Sequence, residues 1–199
     1  MRFRLLFQVS IGILLVGFML FAVFYEVTPH HSETQKDKFI KDFELTDYNK
    51  QVFRFNDLKP YYKFVYFGFT FCPDICPASL NKISNVLNTL DKYGYKDFRA
   101  LFISVDPKRD TPEYLKNYVT HFHQNIIAIT GDDVKLQEIT QDFGAYYAVV
   151  PNEAKPENYL VNHTSFIYLI GKNNEYITHF HLESSVEEIV DFIVQHKLR

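Results

Sequence analysis

The residues best suited to chemistry are two cysteines, Cys72 and Cys76, the sole pair in a chain of 199 residues. They stand in the run Phe71-Cys72-Pro73-Asp74-Ile75-Cys76-Pro77, where an apolar stretch gives way to helical periodicity. A helix N-terminus there offers free N–H groups and a partial positive charge, which favour thiolate over thiol. Two thiolates at i and i+4 can bond to each other or grip one metal ion. A purely stabilising disulfide is the plainer use, but it would close a very small loop, where the chain-entropy gain is least. Thiolates are soft ligands and suit Cu(I); a trigonal site needs a third donor, and an imidazole would also accommodate Cu(II). The methionines are Met1 and Met19, so a methionine-rich metal site is excluded.

Eight histidines could supply that donor: His30, His31, His121, His123, His163, His179, His181 and His196. Composition does not choose among them. His163 is the best placed, just before an expected strand at Ser165–Ile170, because open α/β sheets put their sites at strand ends and adjoining loops. His179-Phe180-His181 has a separate reading. On a strand, residues i and i+2 share a face, so these two could form a surface metal pair or stand as solvated histidines.

The elements that must position these residues follow from periodicity. Phe43-Glu44-Leu45 and Val52-Phe53-Arg54-Phe55 suggest an opening hairpin. Lys63 to Phe69 is a near-continuous apolar run, as in a central buried strand. From Pro77 onward, Leu80, Ile83, Val86, Leu87 and Leu90 recur at helical spacing. Phe98–Val105 reads as a strand, then Thr111 caps a helix with Pro112 at its first position. Ile126–Thr130 is a strand, Asp132–Phe143 a helix, and Pro151–Asn158 a polar insertion after Tyr146–Val150. Ser165–Ile170 and Tyr176–His181 form a hairpin, and Ser184–Lys197 a closing helix with a capping box from Ser184 to Glu187. Strands alternating with helices predict an α/β fold with a mixed sheet, partly antiparallel at the final hairpin.

Composition narrows the function. The formal net charge of −3 gives no basic field to hold nucleic acid. With 47% hydrophobic residues the chain is a folded protein, and two cysteines exclude a disulfide scaffold. Leu5–Tyr25 is an uncharged run of 21 residues, enough for roughly the 30 Å of a bilayer core. Arg2 and Arg4 precede it, and Glu26, His30, His31 and Glu33 follow it, which places the N-terminus in the cytoplasm and the rest outside. The run is longer than a signal-peptide core, no A-x-A-like site follows, and the four-residue leader is too short for a transit peptide. The expected organisation is a membrane anchor over residues 1–25, a linker over 26–37 and one folded domain over 38–199. The expected location is the bacterial inner membrane, single-pass, with the domain in the periplasm.

Three stretches together resemble the Sco/SenC family: Tyr66 to Pro77 with its CxxxC, Ile103-Ser104-Val105-Asp106-Pro107-Lys108-Arg109-Asp110-Thr111-Pro112, and Tyr159 to Leu169 with His163. The resemblance spans residues 38–199 and implies a thioredoxin-like fold. It implies one copper held by Cys72, Cys76 and His163, and a role in delivering copper to the binuclear copper centre of cytochrome c oxidase or in preparing its thiols. The implied partners are the copper-bearing subunit of the oxidase and a further copper donor protein. His163 takes the place where thioredoxins and peroxiredoxins commonly carry a proline, which favours a metal site over a general disulfide reductase. Family members usually carry Asp just before the histidine; here it is Asn162, which leaves the imidazole in place and alters the local charge.

These readings leave two functions in competition. The first is a membrane-anchored copper chaperone rather than an enzyme. The second is a thiol–disulfide oxidoreductase, with Cys72 and Cys76 as redox-active thiols and Cys72 as the attacking one. A copper or redox sensor would need a signalling domain, and none is visible in the sequence. Asp106, Arg109 and Asp110 are expected to hold a loop by charge-assisted bonds, and Asp74 to favour the helix N-terminus electrostatically.

Overall fold

A computed structural model describes residues 38–198 and, apart from these, Met19. The expected anchor and linker, with His30 and His31, lie outside the described residues apart from Met19. Among the described residues no helix is long and apolar enough to cross a membrane. The chain divides into units Met1–Gln35 and Lys36–Arg199, and the second carries the fold.

That unit is built on a seven-stranded mixed sheet. Its strands are β1 (Glu44–Asp47), β2 (Val52–Arg54), β3 (Tyr62–Gly68), β4 (Phe98–Ser104), β5 (Ile126–Thr130), β8 (Ile167–Ile170) and β9 (Tyr176–Phe180), in the order β2-β1-β5-β4-β3-β8-β9. β6 (Tyr147–Val150) and β7 (Leu160–His163) form a separate antiparallel ribbon. The helices are α1 (Ile75–Lys92), α2 (Pro112–Val119), α3 (Asp133–Phe143) and α4 (Val186–Gln195).

β3 lies at the centre, parallel to β4 and antiparallel to β8, and six of its seven residues are buried. Successive residues face opposite sides of a strand. Tyr66 accordingly stacks with Phe102, which meets Tyr118 of α2, while Phe67 meets Tyr168 and Phe143 of α3. α1 buries Leu80, Ile83, Val86, Leu87 and Leu90, the positions expected from its spacing, and packs beside α4. The buried charge in β3 is Lys63, whose Nζ donates to Asn174 Oδ1 at 2.9 Å. Burial lowers its pKa to about 8.

Thr111 caps α2, accepting from the Tyr114 N–H, and Pro112 opens it as expected. The closing helix corrects one expectation. Its capping box joins Ser185 to Glu188, not Ser184 to Glu187. Each serine has a glutamate three residues on, but the Ser184 N–H is committed to the His181 carbonyl in the preceding turn. The helix from Val186 then buries Ile189, Val190 and Ile193.

Candidate metal centre

The junction from β3 into α1 fixes both sulfurs. Asp74 occupies the N-cap position of α1 but its side chain makes no cap bond. The Cys76 N–H donates instead to Cys72 Sγ at 3.4 Å, so sulfur takes the place of a capping oxygen. Pro77 follows at the third helical position and brings no N–H to satisfy. Cys76 is fully buried, Cys72 is half-buried, and both are free thiols.

Gly68 at the end of β3 makes this approach possible. A Cβ there would lie 2.9 Å from Cys76 Sγ and 2.9 Å from Phe102 Cε2. The Tyr66 hydroxyl donates to Cys76 Sγ at 3.8 Å. Burial in this pocket, and then the neighbouring Cys76, push the Tyr66 phenol well above its usual range.

The two thiols differ strongly. Cys72 is drawn down to about 5, first by its bond with the Cys76 thiol, which outweighs partial burial. The N–H groups of Cys76 and Asp74 and the His163 side chain help. Cys76 is pushed up, first by its bond to Cys72 and then by burial. The pair therefore holds one thiolate readily and the second at higher pH.

His163 reaches this pair from the other side. It ends β7, opposite Tyr147 of β6, with Nε2 3.4 Å from Cys76 Sγ. Its Nδ1 lies 3.1 Å from the Thr164 carbonyl. A carbonyl accepts and never donates, so this contact holds the proton on Nδ1 and leaves the Nε2 lone pair facing sulfur. The Tyr66 and Phe69 rings meet the imidazole edge-on at 6.0 and 5.9 Å. The donor atoms of Cys72, Cys76 and His163 all lie within 4.8 Å of one another. Among the described residues this is the one group of three or more such side chains brought together. Two sulfurs and one imidazole form a soft, three-donor set, which fits copper.

The SCO1/SenC family model matches residues 31–197. The chain belongs to this family. The SCO2-like protein of Rickettsia felis is 45% identical over 152 residues, which are 76% of this chain and 74% of that one. Yeast Sco1 with copper bound is 33% identical with a TM-score of 0.74, covering 80% of this chain and 88% of that one. Bradyrhizobium japonicum ScoI with copper bound is 33% identical with a TM-score of 0.70, covering 79% and 98%. Homologous Sco structures thus hold copper, and this Sco chain presents a Cys-Cys-His group.

The second Sco signature stretch is a clamp on the histidine ribbon. Arg109 Nε donates to Asp106 Oδ2 at 2.5 Å and Nη1 to the Tyr159 carbonyl at 2.8 Å. The guanidinium lies 3.6 Å from the Tyr159 ring centre, and the Tyr159 hydroxyl donates to Asp106 Oδ1 at 2.5 Å. Tyr159 directly precedes β7, so the clamp fixes where the histidine strand begins. Asp110 is buried and ties the cysteine loop to β4, accepting from Thr70 N, Thr70 Oγ1 and Ser104 Oγ. Burial raises its pKa despite these bonds.

Asn162 is exposed opposite Ala148, and strand alternation puts it on the other face of the ribbon from His163. Its exchange for Asp therefore changes charge near the site without touching the imidazole. Asp74 is exposed at the start of α1. His121 and His123 fall in the turn after α2, where His123 Nδ1 accepts from the Asn125 N–H. His196 bonds the Phe192 carbonyl at the end of α4.

Sequence reasoning missed Tyr66, Gly68 and the Thr164 carbonyl. Gly68 had a usable signal, since glycine inside a strand pattern marks a close approach. It also missed β7: His163 closes a paired strand rather than standing in a loop.

Proposed function

We propose that this chain carries one copper ion, Cu(I) or Cu(II), on Cys72, Cys76 and His163, and delivers it to the copper-bearing subunit of cytochrome c oxidase during assembly of the binuclear copper centre. The observation that carries this reading is the convergence of the three donor atoms within 4.8 Å. The Cys72 thiolate is available at neutral pH, and the Nδ1–H to Thr164 bond aims the Nε2 lone pair. No fourth protein donor joins them among the described residues. An acceptor's thiolate or imidazole can therefore enter and replace these ligands one at a time. Half-buried Cys72 offers the approach, while buried Cys76 holds the ion from behind and half-buried His163 closes the third side. A separate donor protein would load the site by the same exchange in reverse.

The uncharged run Leu5–Tyr25 after Arg2 and Arg4 supports a single anchor in a bacterial inner membrane, with the domain in the periplasm. Family membership supports the oxidase as destination.

One observation favours a second reading, a thiol–disulfide oxidoreductase that keeps the oxidase's acceptor cysteines reduced. Cys72 is accessible with a lowered pKa, and Cys76 is buried beside it with a raised one. That is the division between an attacking and a resolving thiol.

The test is Cu(I) stoichiometry on the reduced full chain in detergent against a competing chelator. One Cu(I) per chain is expected, lost in Cys72→Ser/Cys76→Ser and in His163→Ala. The loss should exceed the roughly 10–100-fold typical of supporting residues. A chain that keeps no Cu(I), yet whose disulfide exchanges readily with a dithiol, would transfer the function to the oxidoreductase reading.

A further inference from the structure

The edge of the sheet carries a second group of imidazoles, on the face opposite the cysteines. Cys76 meets Tyr66, whereas His179 pairs with Tyr168, whose ring meets Phe67 on the other side. β9 is the last strand of the sheet, and its outer edge is met at its start, where the Tyr176 N–H donates to the Lys38 carbonyl at 2.8 Å. His179 sits on β9, half-buried, and His181 one step past its end, exposed. Their ring centres are 5.5 Å apart.

That separation is informative. A metal lies about 2.0–2.1 Å from an imidazole nitrogen, and the nitrogen about 1.1 Å from the ring centre. Two imidazoles on one ion therefore have centres about 4.5–6.3 Å apart for angles at the metal of 90° to 180°. The observed spacing falls inside that interval.

Two further features suit a ligand pair. Phe166 lies 4.5 Å from the His179 ring and 4.8 Å from the His181 ring, a shared apolar wall that limits how either ring can turn. Tyr176, itself buried, places its hydroxyl 2.5 Å from His179 Nδ1. The hydroxyl can accept as well as donate, so when a metal takes the Nε2 lone pair the Nδ1–H donates to the Tyr176 oxygen and orients the ring. The Tyr168 hydroxyl nearby is buried and has no hydrogen-bond partner among the described residues.

We propose that His179 and His181 form a second metal site, a two-imidazole surface site for a borderline divalent cation, with Cu(II) bound most tightly. Imidazole pairs favour Cu(II) over the other first-row divalent ions, with water completing the coordination. The site therefore differs from the cysteine centre in donor type, in sheet face and in the copper oxidation state it prefers.

The test uses the full chain carrying Cys72→Ser/Cys76→Ser, titrated with Cu(II) and read by paramagnetic resonance. The expected result is one Cu(II) with hyperfine coupling from two nitrogens. His181→Gln, at an exposed position that leaves the fold intact, should weaken binding at least about tenfold and remove one nitrogen. Tyr176→Phe should weaken it several-fold and keep both. His163→Ala and His30→Gln/His31→Gln should leave it unchanged. Undiminished binding in His181→Gln, loss of binding in either of the last two variants, or no Cu(II) bound at micromolar concentration would each overturn the proposal.

Discussion

The two halves of the cysteine–histidine centre are held in opposite ways. The sulfurs sit where a strand buried in the middle of a seven-stranded sheet turns into the longest described helix, and Cys76 packs in the core itself. His163 stands on a two-stranded ribbon outside that sheet, whose Val149, Val150 and Leu160 are exposed. An isolated two-stranded ribbon is marginal in water. Here it is tied down at both ends, by the Arg109–Asp106–Tyr159 clamp beside the insertion and, next to His163, by Thr164, which exchanges bonds with Tyr146 at 2.9 and 3.0 Å. The sulfurs are thus positioned by the global fold and the imidazole by a few local bonds. If copper is delivered as proposed, the difference assigns retention to the core half and adjustment to the ribbon half.

The comparison can be broken first from the rigid side. Gly68→Ala places a Cβ against Cys76 Sγ and Phe102 and must displace one of them. Overpacking of this kind costs about 1–3 kcal/mol. The variant should lose that stability in denaturant titration and bind Cu(I) less tightly, because the sulfur itself moves. Arg109→Ala attacks the other half. It releases Tyr159 and the start of β7, and Cu(I) affinity should fall about 10–100-fold, as for other residues that orient a metal ligand. Cys72 should keep its low pKa, since its first support is Cys76. Alkylation rate against pH reads this directly. An Arg109→Ala protein with unchanged copper affinity would mean that the ribbon holds His163 without the clamp.

A pH profile sharpens the contrast within the sulfur half. Cys72 in the folded, reduced protein titrates near 5, well below the ordinary thiol value of 9.0. Between those values the unfolded chain binds the extra proton, so stability rises with pH from about 5 to about 9. Cys76 is raised and acts in the opposite sense above that range, holding its proton when the unfolded chain has lost it. The cysteine pair's contribution to the stability of the reduced protein should therefore peak near pH 9. Cys72→Ser should flatten the limb on the acid side, as measured by urea midpoints across the range.

The same division explains what could be read without the structure. The central strand, the helix after it and the placement of both cysteines follow from runs of apolar residues, because burial on both faces or on one helical face leaves a periodic mark. The ribbon leaves little mark. Leu160-Val161-Asn162-His163 is short, one of its four residues is fully buried, and its partner strand lies across a polar insertion. His163 was found from its chemistry and its place near a strand end, while the strand carrying it was not. The capping box slipped by one residue because Ser184 and Ser185 offer the same local pattern, and the turn bond from the Ser184 N–H to the His181 carbonyl decides between them. Tyr66 and Thr164 act through a hydroxyl beside sulfur and a backbone carbonyl, which residue type alone does not announce.

The smallest expected effect comes from the far end of β3. Lys63 is buried five residues before Gly68, bonded to Asn174 Oδ1 and to the Lys172 carbonyl at 3.4 Å, with the Phe55 ring 5.2 Å away. Burial brings its pKa down from 10.5 to about 8. Between these values the unfolded chain holds the extra proton, so this group adds stability as pH rises through that window. Lys63→Met should remove that rise between about pH 8 and 10.5, and change stability near neutrality by about 1 kcal/mol or less, since the lost bonds and the relieved burial of charge oppose each other. Copper affinity should not change. An altered affinity in Lys63→Met would show that the whole length of β3, and not its last turn into α1, sets the positions of the sulfurs.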